Sequence, residues 1–127
     1  MEIRTHTHID KTLCGTPDHI SEKYARVKMV ATVEMAVDET GLVHGGFIFG
    51  LADHAAMLAV NHPNVVLGSA EVRFLKPVLP GDTLVAVASV TETEKRKQIV
   101  EAIVSRGDEN VFQGRFDCFV LEKHVLS

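Results

Sequence analysis

The stretch from Val43 to Val60, VHGGFIFGLADHAAMLAV, holds the residues best suited to chemistry. From Phe47 to Val60 its only polar side chains are Asp53 and His54. A helix without a polar face has to be covered by protein on nearly every side, so this stretch reads as a buried central helix. A carboxylate in that setting is costly unless paired or hydrogen-bonded, and desolvation raises its pKa toward the range used in acid–base work. Asp53 is therefore the leading catalytic candidate. A structural bridge, or a position at a subunit boundary, accounts for it equally well from this stretch alone.

Gly45 and Gly46 open the same helix. Glycines there permit a tight loop-to-helix turn, and they also let a ligand approach bare N–H groups where the helix dipole favours negative charge. Such donors suit an oxyanion developing on an attacked carbonyl, which points to acyl transfer. Gly45 and Asp53 are eight residues apart, and at about 1.5 Å of rise per residue they are about 12 Å apart along the axis. One helix cannot bring both to one carbonyl. If both act on the same bond, the second group comes from another copy of the chain, so the active unit is at least a dimer with antiparallel central helices.

His44, ahead of the glycines, is read as orienting the loop or satisfying backbone groups. His54 points about 100° away from Asp53 around the helix and is read as a packed or interface histidine. Ser69, Ser89, Ser105 and Cys118 lie in strand-like segments without the glycines of a nucleophile elbow, so no serine or cysteine triad is indicated. Phosphate-loop and dinucleotide fingerprints are absent, which removes the usual nucleotide cofactors. His6 and His8 would share a face if extended, but two ligands without a third are a weak metal signal. No metal site is assigned.

The elements that position these residues follow from periodicity. From Ala25 to Val37 every odd position is apolar, which predicts one long half-buried strand. Asp38-Glu39-Thr40-Gly41 closes it as a turn, and Pro63 ends the central helix after Val60. Four strand-like segments follow, roughly Val65 to Phe74, Asp82 to Thr93, Gln98 to Arg106 and Val111 to Leu121, separated by turn residues and hence antiparallel. Met1 to Glu22 is polar and loosely assigned, with Gly15-Thr16-Pro17-Asp18 read as a turn. One or more strands, a single long apolar helix and four strands make an α+β fold in which an antiparallel sheet walls the helix.

The chain's 127 residues fit one domain, residues 1–127, able to bury a core without disulfides. A net charge of −4 and a pI near 5.9 argue against nucleic acid or an anionic membrane as partner. The basic run Lys95-Arg96-Lys97 reads as a solvated hairpin turn. Two distant cysteines form no Cys-x-x-Cys pair, and no apolar leader or spanning segment is present, so a reducing, cytoplasmic setting is expected.

The run His44-Gly45-Gly46-Phe47-Ile48-Phe49-Gly50-Leu51-Ala52-Asp53, backed by Ser69 to Pro77 and Pro80-Gly81-Asp82-Thr83-Leu84, resembles the hotdog-fold acyl-CoA thioesterases, particularly the PaaI-like group. The resemblance runs from about Val37 to Val120. It implies a strongly curved antiparallel sheet wrapped around one long helix, dimerising edge to edge, with dimers often pairing into tetramers. It implies an acyl-CoA thioesterase without metal or redox cofactor, in which Asp53 is general base or nucleophile and the Gly45 N–H polarises the thioester carbonyl from the partner subunit. His44, Gly46 and Asp38 would support them. CoA phosphates would meet Arg73 and Lys76, and the acyl group a pocket including Phe47, Met57 and Phe74. Two positions depart from the pattern. Six residues before His44 the family often has Asn or Gln to hold the catalytic water, and this chain has Asp38; four residues after the acid some relatives carry a hydroxyl, and this chain has Met57. A carboxylate accepts a hydrogen bond but donates none unless protonated. Asp38 therefore keeps open a rival reading, a non-catalytic acyl-CoA or lipid sensor. A hydratase acting on an enoyl thioester fits less well, because His54 stands next to Asp53 rather than across from it.

Overall fold

A computed structural model describes residues 1–127. The chain forms helix α1 (Lys11–Cys14), strands β1 (Thr16–Ser21) and β2 (Tyr24–Val30), helix α2 (Gly45–Val60), and strands β3 (Val65–Phe74), β4 (Thr83–Glu94), β5 (Lys97–Arg106) and β6 (Glu109–Val120). All six strands pair antiparallel in one sheet of order β1-β2-β4-β5-β6-β3. The curved sheet wraps α2, the hotdog arrangement that the resemblance implies. β3 leaves the helix, crosses to the far edge beside β6, and keeps its outer side unpaired.

Small residues let helix and sheet approach closely. Ala25 of β2, Ala86 and Ala88 of β4 and Ala102 of β5 face the core with Ala52, Ala55, Ala56 and Ala59 of α2, all fully buried or nearly so. α2 packs mainly across β2, β4 and β5. The bulk is concentrated at one side, where Phe112 and Phe116 of β6 fill the space toward β3. The alternation of buried and exposed positions along β2, β4 and β5 is the period-two pattern of a sheet with one face on the core.

Two expectations are corrected. The strand predicted to run from Ala25 to Val37 ends at Val30, and Val33–Met35 form a single 3-10 turn. The apolar alternation continues, but the pairing partner does not: β4 starts at Thr83, and the Ala31 N–H makes its last bond to the Asp82 carbonyl. Val33 and Val37 consequently face solvent. The predicted turn at Thr16 to Asp18 is instead the start of β1. Pro17 is tolerated because β1 is an edge strand, and the register shifts between Pro17 and His19 in a bulge. The hairpins β4–β5 and β5–β6 turn at Lys95-Arg96 and Gly107-Asp108, with Lys95 and Gly107 at positive φ.

The N-terminal arm is fastened to the end of α2 by Asn61. This residue caps the helix in the left-handed conformation (φ 51°, ψ 47°), donating its backbone N–H to the Met57 carbonyl. Its side chain accepts from the Arg4 N–H and donates to the Glu2 carbonyl, both at 2.8 Å. Asn61→Ala is expected to cost about 2 kcal/mol, from two lost hydrogen bonds and a Cβ-bearing residue left in a conformation alanine disfavours. Urea denaturation measures it. Asn61→Gly, which keeps the conformation but not the side chain, should cost less. No helix of the chain is long and apolar enough to cross a membrane.

Candidate active site

The helix start is built by His44. As N-cap its backbone is extended (φ −60°, ψ 131°), and its Nδ1 accepts the Gly46 N–H at 2.7 Å. That takes Gly46 out of play and leaves the Gly45 N–H, at the first helical position, without an acceptor in the helix. Phe74, at the end of β3, lies against Gly45: a Cβ at position 45 would stand 2.9 Å from its Cε1. The ring is held edge-to-face on Phe112 of β6, with centroids 5.2 Å apart, across the Phe74–Phe112 register pair. A groove of about 350 Å³ opens here, walled by Leu42, Val43, Ile48, Phe74 and Pro77 with Lys76 beside it. An apolar wall beside an N–H at a helix N-terminus raises the strength of any hydrogen bond made there.

Asp53 lies two turns further on. Its Oδ1 is buried and has no hydrogen-bond partner within the chain. Burial alone pushes its carboxyl up from 3.8 to about 6. Its negative charge in turn contributes to the raised pKa of Cys118, which burial, the larger cause, pushes up to about 12. Because Gly45–Val60 is one unbroken helix, the separation of Gly45 and Asp53 remains about 12 Å. The two groups do not meet within one chain.

His54 is packed into the core and hydrogen-bonded. Its Nδ1–H donates to the Cys14 carbonyl at 3.0 Å, and its ring stacks on His6 with centroids 6.5 Å apart. Burial, chiefly, holds both imidazoles below their ordinary pKa. His6 and His8 gather no third ligand, and no group of three His, Cys, Asp or Glu side chains is arranged to hold a metal.

Phe74 and Lys76 stand at the groove beside Gly45. The half-buried Phe47 does not line it; its ring meets His44 edge-on at 6.1 Å. The other predicted site residues lie elsewhere. Arg73 alternates away from Phe74 on β3 and sits on the outer face of the sheet among Glu71, Glu101, Gln113 and Arg115. Met57 is buried in the core, away from the groove wall. Asp38 is exposed and engaged in its own turn: its Oδ1 accepts from the Thr40 N–H at 3.0 Å and the Thr40 hydroxyl at 2.6 Å, bonds that hold its carboxyl below the usual range. In the Lys95 to Lys97 run, Arg96 pairs with Glu122 and Lys97 with Asp117. Phe112, which supports Phe74, was not among the residues singled out from the sequence. The alternation of β6 shows it facing the core, but only the β3–β6 register places it under Phe74.

A family model described as the thioesterase superfamily matches residues 40–113. Among solved structures, the chain is similar to the uncharacterized protein PH1136 from Pyrococcus horikoshii, with 58% identity and a TM-score of 0.99 over 100% of this chain and 98% of that one. It is 49% identical over 116 residues to a methylthioribose-1-phosphate isomerase of Aquifex aeolicus, covering 91% of this chain and 25% of that protein. That name therefore describes a polypeptide most of which has no counterpart here. The chain spans less than half the length of most of the curated relatives it matches. An exception is the acyl-coenzyme A thioesterase PaaI of Escherichia coli, 33% identical over 101 residues that cover 76% of this chain and 71% of that protein. The solved structure of that protein has a TM-score of 0.79 to this chain at 28% identity, over 86% and 85% of the two chains.

Proposed function

This chain belongs to the thioesterase superfamily, and from that premise we propose that it hydrolyses an acyl-CoA thioester at sites shared between two subunits. The observation that carries the proposal is the pair of unsatisfied groups on one helix, a buried carboxylate oxygen at Asp53 and a free N–H at Gly45, too far apart to serve one carbonyl. Two copies with antiparallel α2 helices would bring Asp53 of one to Gly45 of the other, twice. Of the sheet's two edges, β1 is short and carries Pro17, whereas the ten-residue β3 leaves a longer row of backbone donors and acceptors open, so β3 is the edge assigned to the second copy.

In the reaction so read, ionised Asp53 takes a proton from water as the water oxygen bonds to the thioester carbon. The carbonyl oxygen becomes an oxyanion and is held by the Gly45 N–H of the partner subunit. The C–S bond then breaks, the carbonyl re-forms, and the sulfur leaves as CoA thiol with the proton returned by Asp53. Water is the only co-reactant, and neither metal nor redox cofactor takes part. Lys76, beside the groove, is the cation assigned to the CoA phosphates, and the apolar groove wall excludes water from the oxyanion. Support for acyl-CoA as substrate comes from the name of the Escherichia coli relative.

Asp38 favours one second reading. A carboxylate occupied in its own turn supplies no amide to orient water, as a non-catalytic acyl-CoA sensor would not need one. Thiol release from a panel of acyl-CoAs, followed with a thiol reagent, separates the two. Turnover supports the hydrolase; tight acyl-CoA binding with no turnover supports the sensor. The pH profile carries a further expectation. Because Asp53 must be ionised to act and burial raises its pKa to about 6, kcat/KM should climb tenfold per unit at low pH, bend near 6 and level off above it. A flat profile from pH 5 to 8 would remove Asp53 as the base.

A further inference from the structure

Eight of the chain's nine glycines have a reason inside the chain. Gly15, Gly41, Gly81 and Gly107 have positive φ; Gly45 and Gly46 open α2 against Phe74 and His44; Gly68 and Gly114 are crowded by Phe119 and Val72. Gly50 has none. It lies inside α2, where glycine lowers helix stability relative to alanine, and a Cβ built there meets no heavy atom within 4 Å.

The surroundings say what the space is for. Residues three apart are neighbours on a helix face, and a helical side chain leans back over the preceding turn, so Asp53 extends toward the turn that holds Gly50. Leu51, Ala52 and His54 are fully buried, whereas Gly50 and Asp53 are half-buried, which makes this strip the accessible part of the helix middle. Nearly one turn on from Gly50, the Asp53 Oδ1 is buried and lacks a partner within the chain.

We propose that Gly50 is a specificity-determining residue, its bare backbone forming the floor on which the first carbons of the acyl group lie while the thioester carbonyl faces Asp53. The inference rests on reading the Asp53 face as a thioester site. It names a substrate class: acyl groups that are branched or ring-bearing next to the carbonyl, which need the volume a side chain would take. A methyl group at position 50 removes that volume without touching Asp53 or Gly45.

The test is Gly50→Ala and Gly50→Val, assayed with acetyl-, hexanoyl-, isobutyryl- and benzoyl-CoA. In Gly50→Ala, kcat/KM should fall about tenfold or more for isobutyryl- and benzoyl-CoA and less than about threefold for acetyl-CoA, with Gly50→Val steeper in the same order. The thermal midpoint of Gly50→Ala should rise, since the methyl has room and alanine favours the helix. Calorimetric binding of non-hydrolysable thioether analogues of the same acyl-CoAs reads the selectivity without turnover. Wild-type protein that hydrolyses none of the thioesters refutes the hydrolase reading, and the binding series still decides this one. Equal losses across the panel, no change in either series, no analogue bound at all, or a lowered midpoint with dissociation to monomer, meaning that a partner helix lies on Gly50, would each overturn the proposal.

Discussion

Asp53→Asn is expected to lower kcat for acyl-CoA hydrolysis by about 10³-fold or more, the loss typical of removing a general base from an otherwise intact site. Acyl-CoA binding should persist, because the substitution preserves shape and leaves the groove and the Gly45 N–H in place. The same variant makes a stability prediction of opposite sign. Burial raises the folded-state pKa of this carboxyl from 3.8 to about 6, so the fold prefers the protonated form. The stability associated with it is complete below the unfolded value and is lost as pH rises through about 6, by roughly 3 kcal/mol. Asparagine never bears the charge. Asp53→Asn should therefore melt above wild type at pH 8, and the difference should shrink toward pH 4. Circular dichroism melts across that range measure it. A variant that is inactive and also less stable at every pH would mark Asp53 as a structural group.

Gly45→Pro is expected to lower kcat by about 10²- to 10³-fold while the protein still folds. Proline removes the N–H proposed to hold the oxyanion, at a helix position where that N–H has no structural acceptor and proline is well tolerated. The backbone is already suited to it, since His44 has the extended conformation (φ −60°, ψ 131°) required of a residue before proline. The new ring meets Phe74, which is 55% exposed, so it has solvent to turn into, at the cost of its edge-on contact with Phe112. Gly45→Ala is the control. It makes the same approach to Phe74 but keeps the N–H, so its loss should be much smaller, and similar losses in the two variants would assign the effect to Phe74 instead.

The burial of Asp53 was legible because a lone carboxylate in an apolar helix is anomalous at the level of composition. The order of strands and helix implied an antiparallel sheet walling one helix, and the hotdog arrangement came from the resemblance carried by His44 to Asp53. What escaped depends on partners distant in sequence. The alternation from Ala31 to Val37 carries the pattern of a strand, but β4 ends its pairing at Thr83. Pro17 reads as a turn residue until β1 is seen to be an edge. The approach of Phe74 to Gly45 needs the β3–β6 register, which joins residues 74 and 112. Arg73 was paired with Lys76 as a cation for the CoA phosphates, but adjacent strand residues face opposite ways, and Arg73 lies on the other face of β3 from Phe74. Gly50 was visible as a helix-interior glycine, and only the packing shows that nothing inside the chain asks for it.

The central claim is that each site takes Asp53 from one subunit and Gly45 from the other, and subunit mixing tests it directly. Asp53→Asn and Gly45→Pro proteins, each nearly inactive, are unfolded together, refolded at equal amounts, and assayed for thiol release. If sites are shared, a mixed dimer carries both substitutions in one site and neither in the other. Half of the dimers are then mixed, and activity should return to about a quarter of wild type. If each site is built from one chain, every site in the mixture carries a substitution, and activity that stays at the level of the separate variants, with mixed dimers shown to be present, would contradict the account.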